Sequence, residues 1–373
     1  MIYNKNEFAY RNIKGLKPVI CKSCDRDGKC VGDCEKCLRN QAYNKELVET
    51  SLFIADDLFR EYHDRYNGHN EFKSTVLRCK DEHPYLYYGI EIEVEFNSDV
   101  VDVFDYNEWD ECEGASEDIE TILREFSKIT KGMFVYEKDG SLENGVELIS
   151  RPMSYKFVSL PETIELLNKG FEYLKSKGAM VEQPNTNGLH VHISKKFFDY
   201  GGGSDKSIDT KYQDMDWLFQ FFQTEIEKIG GREYTHYCDS KMNKLKDRYG
   251  IGDGRIDRMF NADFSITGKL KKGGQMADGD HYSAITMSGR TIEGRVFNST
   301  IDTNQVLACI EMMRNLSHAV RDGEIVGKTF GELLATKESP HLDKVLANLK
   351  RAYKDNTDEF NLDKVCESEM EIK

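Results

Sequence analysis

Proline is scarce in this chain, 6 in 373 residues, and tryptophan scarcer still at 2. Scarce proline argues against proline-rich linkers, and 39% hydrophobic residues with 20 Phe and 19 Tyr exclude the low-hydrophobicity kind of disorder. No apolar run approaches the about 18 residues of a membrane-spanning helix, and the opening MIYNKNEFAYRN lacks the apolar core of a secretory signal. The expectation is a cytoplasmic protein with no membrane partner. Basic residues fall short of acidic ones, 51 against 66, and the formal net charge of −15 disfavours a general nucleic-acid surface. Internal repeats, a P-loop, a Rossmann glycine pattern and a nucleophile elbow are also missing, which argues against common nucleotide-binding and hydrolase folds.

Cysteine is present but unevenly spread. Five of the ten crowd into CKSCDRDGKCVGDCEKC at 21–37, and the others stand singly at 79, 112, 238, 309 and 366. A chain this long does not need disulfide staples, so reduced thiols are expected. Cys21-x2-Cys24 and Cys34-x2-Cys37 form two knuckles whose four thiolates can close a tetrahedral zinc shell, with Cys30 as a spare or alternative ligand. The intervening Asp, Gly and Lys build no apolar core, so a metal would have to supply the folding energy. An iron–sulfur cluster and unmetallated thiols are the competing readings. A closed four-thiolate site is structural rather than catalytic, and it suggests recruitment of a macromolecular partner.

These features divide the chain into a cysteine-rich zinc-binding module at 1–40, a helical linker at 41–85, a catalytic domain at 86–325 and a C-terminal helical extension at 326–373. Residues 41–79 read as helical through Leu47, Leu52, Phe53, Leu58 and Phe59. Beyond them, strand-like runs alternate with helices expected near 117–129, 160–177, 214–228, 303–320, 326–336 and 341–354. MFVYEKD and GVELISR read as paired strands around DGSLENG, and HYSAIT with RTIEGRVF as a second pair around Ser288 and Gly289. Residues 195–212 read as a polar loop.

Four extended segments carry charged or metal-capable side chains inside apolar runs: YYGIEIEVEF at 87–96, GVELIS at 145–150, GLHVHIS at 188–194 and RTIEGRVF at 290–297. Successive strand residues point to opposite faces, so Glu91, Glu93 and Glu95 share one face while Ile92, Val94 and Phe96 share the other. The same parity groups His190 with His192, opposite Leu189, Val191 and Ile193, and groups Glu293 with Arg295. Ile292, Val296 and Phe297 supply apolar neighbours. A Glu-rich strand is most often the solvated face of an edge strand, and an isolated His-x-His is more often not a ligand pair. Recurrence across several strands favours a site, because like charges abreast repel unless water or a cation offsets them.

The ordered set GIEIEVEF, EKDGSLENGVELISRPM, NTNGLHVHIS and TIEGRVFNST resembles the amidoligase family of the glutamine synthetase and glutamate–cysteine ligase superfamily, over roughly 86–320. The resemblance implies an α+β fold with an antiparallel sheet and helices packed on one face. It also implies a charged face that holds divalent metal and ATP, and a reaction that joins an amine to a carboxylate through an acyl phosphate. Matched residue by residue, Glu91 and Glu93 fall on the first acidic pair, Asp139 and Glu147 on the second acidic motif, His190 and His192 on the histidine strand, and Glu293 and Arg295 on the last. Gly294 sits where an aromatic is usual, which is expected to thin the packing on the opposite face.

On this reading Glu93, Glu147, His190 and Glu293 are the principal Mg²⁺ ligands. Glu91 contributes as a ligand or, like His192, as a supporting or substrate group. Arg295 would stabilise phosphoryl oxygens, and Asp139 and Arg290, or Arg258, would assist with nucleotide or substrate. The substrates would be an amino acid, peptide or protein that supplies the carboxylate and amine, selected by loops such as 97–116, 195–212 and 268–281. Two other functions compete with it. One is a zinc-dependent hydrolase built on His190 and His192; the other is a non-catalytic protein- or nucleic-acid-binding adaptor on a ligase-like fold.

Overall fold

The computed structural model describes residues 59–60, 77, 86–97, 101, 119–137, 142, 144–181, 187–199, 208–233, 283–288 and 291–366. The cysteine-rich segment at 21–37, with Cys21, Cys24, Cys30, Cys34 and Cys37, lies outside them, as do Asp139, Arg258 and Arg290. The chain divides into two compact units, Met1–Gln183 with Ser299–Thr303, and Pro184–Asn298 with Asn304–Lys373.

The first unit contains strands Phe59–Arg60 (β1) and Tyr88–Phe96 (β2), helix Ile119–Ile129 (α1), strands Phe134–Glu137 (β3) and Gly145–Ser150 (β4), helices Tyr155–Val158 (α2) and Pro161–Ser176 (α3), and strand Ala179–Met180 (β5). The strands follow the order β1-β3-β4-β2, with β5 on β2, and every pairing but β1–β3 is antiparallel. Register separates the faces as parity predicts. Ile92 lies opposite Leu148 and Val94 opposite Val146, and Tyr136 continues that apolar row from β3. Helices cover this face: Phe126 of α1 lies 5.4 Å from Phe134 of β3, and Phe171 of α3 lies 6.3 Å from Phe126, ring centre to ring centre.

One expectation fails here. Phe59–Arg60, placed by the sequence inside a helix, is a strand parallel to β3. The outer side of β3 would otherwise present unpaired N–H and C=O groups, and a passing extended segment satisfies them better than a helix can. Apart from Leu77, which bridges Met153, the rest of 41–79 lies outside the described residues.

The second unit contains strand Gly188–Ser194 (β6), helices Lys196–Asp199 (α4), Ile208–Phe221 (α5) and Gln223–Gly230 (α6), strands Ile285–Ser288 (β7) and Thr291–Asn298 (β8), and helices Thr303–Asp322 (α7, whose first residue falls in the first unit), Phe330–Leu334 (α8) and Pro340–Ala352 (α9). β8 pairs antiparallel with β6 on one side and β7 on the other. The expected polar loop at 195–212 is helical at both ends, because Phe197 and Phe198 are buried: Phe197 takes the Arg321 guanidinium over its ring at 4.5 Å. The single aromatic helix expected at 214–228 starts earlier and is two helices, broken at Phe222, whose ring stacks on Phe330 at 4.4 Å.

Gly294 plays the opposite role to the one expected. A Cβ there would come within 2.8 Å of the Met313 sulfur and methyl, so the bare backbone of β8 lets α7 settle directly on the sheet. Val306, Leu307, Ile310, Met313 and Leu316, the stripe read from the sequence, are all buried. Buried Glu311 on the same helix accepts the His341 and Leu342 N–H groups at 2.9 and 2.6 Å, capping the first turn of α9.

Candidate active site

Each unit carries one polar sheet face. In the first, Glu137 of β3 lies opposite Glu147 of β4, and Glu147 lies opposite Glu93 of β2, so three carboxylates stand abreast across three strands. All three are buried, with 2%, 4% and 5% of their surface exposed. Glu95 is buried beside them, and half-buried Glu91 brings a carboxylate oxygen within 4.8 Å of one from Glu147. Opposite and diagonal neighbours on one strand face are close enough for their charges to act on one another.

Arg151 follows β4 with the parity of Glu147 and Ile149, and its N–H donates to Met133 O at 2.8 Å, which continues the β3–β4 register. Its guanidinium is buried, and desolvation pulls its pKa down to about 10, which leaves it charged at neutral pH. A buried cation therefore directly follows β4, the strand that carries Glu147.

In the second unit, Glu293 of β8 lies between His192 of β6 and Thr286 of β7. Thr286 Oγ1 donates to Glu293 Oε2 at 3.3 Å, and Arg295 Nη1 donates to Glu293 Oε1 at 2.5 Å. His190 Nδ1 is 3.6 Å from Oε1, and ligand atoms of His192 and Glu293 lie within 4.8 Å of one another. His192 Nδ1 is steadied by Thr291 Oγ1 at 3.2 Å.

A β-bulge makes this arrangement possible. Leu189 pairs with Phe297 and Val191 with Gly294, so Arg295 and Val296 together oppose the single residue His190. Without the extra residue, Phe297 would share the face of Glu293 and Arg295. With it, Phe297 crosses to the apolar face with Leu189, while Arg295 stays beside Glu293.

Of the residues singled out in the sequence, Glu93 and Glu147 meet in direct register, and Glu91 joins Glu147. His190, His192, Arg295 and Glu293 also converge. Sequence reading passed over Glu137, Arg151 and Thr286. All three were within reach of strand parity once the β3–β4 and β7–β8 registers were known.

The sequence profile of a family described as "putative amidoligase enzyme" matches residues 84–317. The chain belongs to that family. No curated protein matches the chain. The amidoligase match takes in both polar faces, from β2 with its three glutamates to β8 with Glu293 and Arg295, and it also spans Asp139 and Arg290.

Proposed function

We infer that the protein is an ATP-dependent carboxylate–amine ligase working through an acyl phosphate. The observation that carries this reading is the buried row Glu93–Glu147–Glu137, set on the sheet face that α1 and α3 do not cover, in a chain of the amidoligase family. A core strand gains nothing from three carboxylates abreast, whereas hard, acceptor-only oxygens suit Mg²⁺. Glu91, Glu93 and Glu147 in the first unit, and His190, His192 and Glu293 in the second, would be the ligands. Bound Mg²⁺ would offset phosphate charge and polarise the transferred phosphoryl group.

The chain's own residues position the reactants. Glu293 orients the Arg295 guanidinium, whose planar fork suits phosphoryl oxygens. Asp139 and Arg290 would complete the nucleotide contacts. The substrate carboxylate attacks the γ-phosphorus of ATP and expels ADP. The amine then attacks the acyl carbon, phosphate leaves, and the amine loses its proton to give the amide. No protein nucleophile is needed. The substrate would be an amino acid, peptide or protein, and Cys21, Cys24, Cys34 and Cys37 would hold a structural zinc whose module engages a macromolecular partner.

Isothermal titration of ATP, with and without Mg²⁺, into the wild type and Glu93→Ala tests this. The expected result is Mg²⁺-dependent binding that weakens by roughly tenfold or more in the variant. A folded wild-type protein that binds no ATP in Mg²⁺ would sink the reading.

A further inference from the structure

The ligands inferred above lie on β2, β4, β6 and β8, and β7 supplies none of them. Yet β7 governs two groups that donate to the Glu293 carboxylate. Thr286 lies directly opposite Glu293 in the β7–β8 register, and its Oγ1 donates to Oε2 at 3.3 Å. Arg295 Nη1 donates to the other oxygen, Oε1, and the Arg295 backbone N–H is itself taken by Ala284 O at 2.9 Å, one residue before β7 begins. One oxygen is thus met by a β7 side chain, and the other by an arginine whose backbone is tied to the start of the same strand.

The last torsion of a glutamate is broad, so a carboxylate met at a single oxygen can swing about it, whereas a donor on each oxygen fixes its plane. Thr286 is suited to this. Its branched side chain is stiff at χ1, and it is 6% exposed beside a Glu293 that is 5% exposed. Its neighbours Ile285 and Met287 lie opposite Gly294 and Ile292, on the other parity. Tyr212 of α5 donates to Ile285 O at 3.1 Å, which ties the residue beside Thr286 to a helix. Shape and burial at position 286 would be met equally by valine, and only the hydroxyl reaches Glu293.

We propose that Thr286 is a positioning residue of the second polar face, whose hydroxyl sets the plane of the Glu293 carboxylate so that it can hold a divalent cation. Ligating carboxylates are themselves hydrogen-bonded by supporting groups, and losing such a group lowers metal affinity by about tenfold to a hundredfold. This deepens the ligase reading and rests on it only in taking Glu293 as a metal ligand. Neither ATP nor amide formation enters the argument.

The test titrates Mn²⁺, which shares the preference of Mg²⁺ for hard oxygens and whose free ion is counted by electron paramagnetic resonance. The full-length protein is used without nucleotide, as the wild type, Glu293→Ala, Thr286→Val, Thr286→Ser and Thr286→Ala. Thermal midpoints are recorded alongside. Binding that disappears in Glu293→Ala marks the Mn²⁺ held at this face. Its Kd should rise by about tenfold or more in Thr286→Val, which keeps the branched shape and loses the donor, and by no more than about threefold in Thr286→Ser, which keeps the donor. If Thr286→Val does not fold, Thr286→Ala against Thr286→Ser makes the same comparison, since the two differ by the hydroxyl alone. A hydroxyl that only steadies the hairpin would lower the midpoint of Thr286→Val and leave the Kd unchanged. That result overturns the proposal, as do equal losses in the serine variant and its hydroxyl-free counterpart, or a wild type with no Glu293-dependent Mn²⁺ binding. A wild type that binds Mn²⁺ through Glu293 and Thr286 but binds no ATP sinks the ligase reading and leaves this one standing. Normal Mn²⁺ binding by Thr286→Val does the reverse.

Discussion

Glu137 stands at the end of β3 with Glu147 beside it and Glu93 one strand further on, so neutralising it separates stability from ligand binding. Glu137→Gln keeps the volume and removes one of three charges held abreast. Without metal the variant should melt close to the wild type, since the amide keeps the carboxylate's volume and an acceptor oxygen. Its Mg²⁺-dependent ATP binding should nevertheless weaken by roughly tenfold to a hundredfold. Melting curves in EDTA and titrations in Mg²⁺ check the two halves, and a variant that melts lower yet binds ATP normally would make Glu137 a structural residue. Glu93 and Glu147 were legible in the sequence because EIEVE and GVELIS alternate cleanly. Glu137 was not, because FVYE is a short run and its partner depends on how DGSLENG closes the turn.

At the scale of elements, β8 shows where alternation stops being a sufficient guide. RTIEGRVF places Val296 and Phe297 side by side, and both are fully buried, which a regular half-buried strand cannot arrange. The bulge at Arg295 and Val296 resolves the conflict and also aligns Arg295 with Glu293. Gly294 is bound up with the same geometry, because Met313 occupies the space its side chain would need. Gly294→Ala should therefore destabilise the fold by about 1–3 kcal/mol through overpacking. Met313→Ala should cost stability by leaving a cavity, and the double variant should recover part of the sum. Denaturant midpoints of the four proteins measure the coupling, and strictly additive losses would mean that Gly294 serves strand conformation instead of helix approach. The clean alternation of β2 and β6 and the apolar stripe of α7 could be read in advance. The break between α5 and α6 could not, because it is held by the packing of Phe222 on Phe330, far along the chain.

At the scale of the whole molecule, the chain offers two chemically distinct sets of metal donors. The segment 21–37 supplies thiolates, which favour zinc, while the two polar sheet faces supply carboxylates and imidazoles in a chain of net charge −15. Cys309 and Cys366 are buried, and burial raises the Cys309 thiol well above its ordinary value, so neither competes as a ligand in the folded protein. Elemental analysis after brief dialysis against EDTA should then find one zinc per chain and no magnesium, because a closed four-thiolate shell exchanges slowly and an open oxygen site does not. Replacing Cys24 and Cys37 by serine should remove the zinc, while Glu93→Ala and His190→Ala should leave it in place. The opposite pattern, with zinc retained in the cysteine variant and lost with His190, would assign the zinc to the histidine strand. It would also bring forward hydrolysis at that strand over amide-bond formation, since a zinc site there needs no ATP.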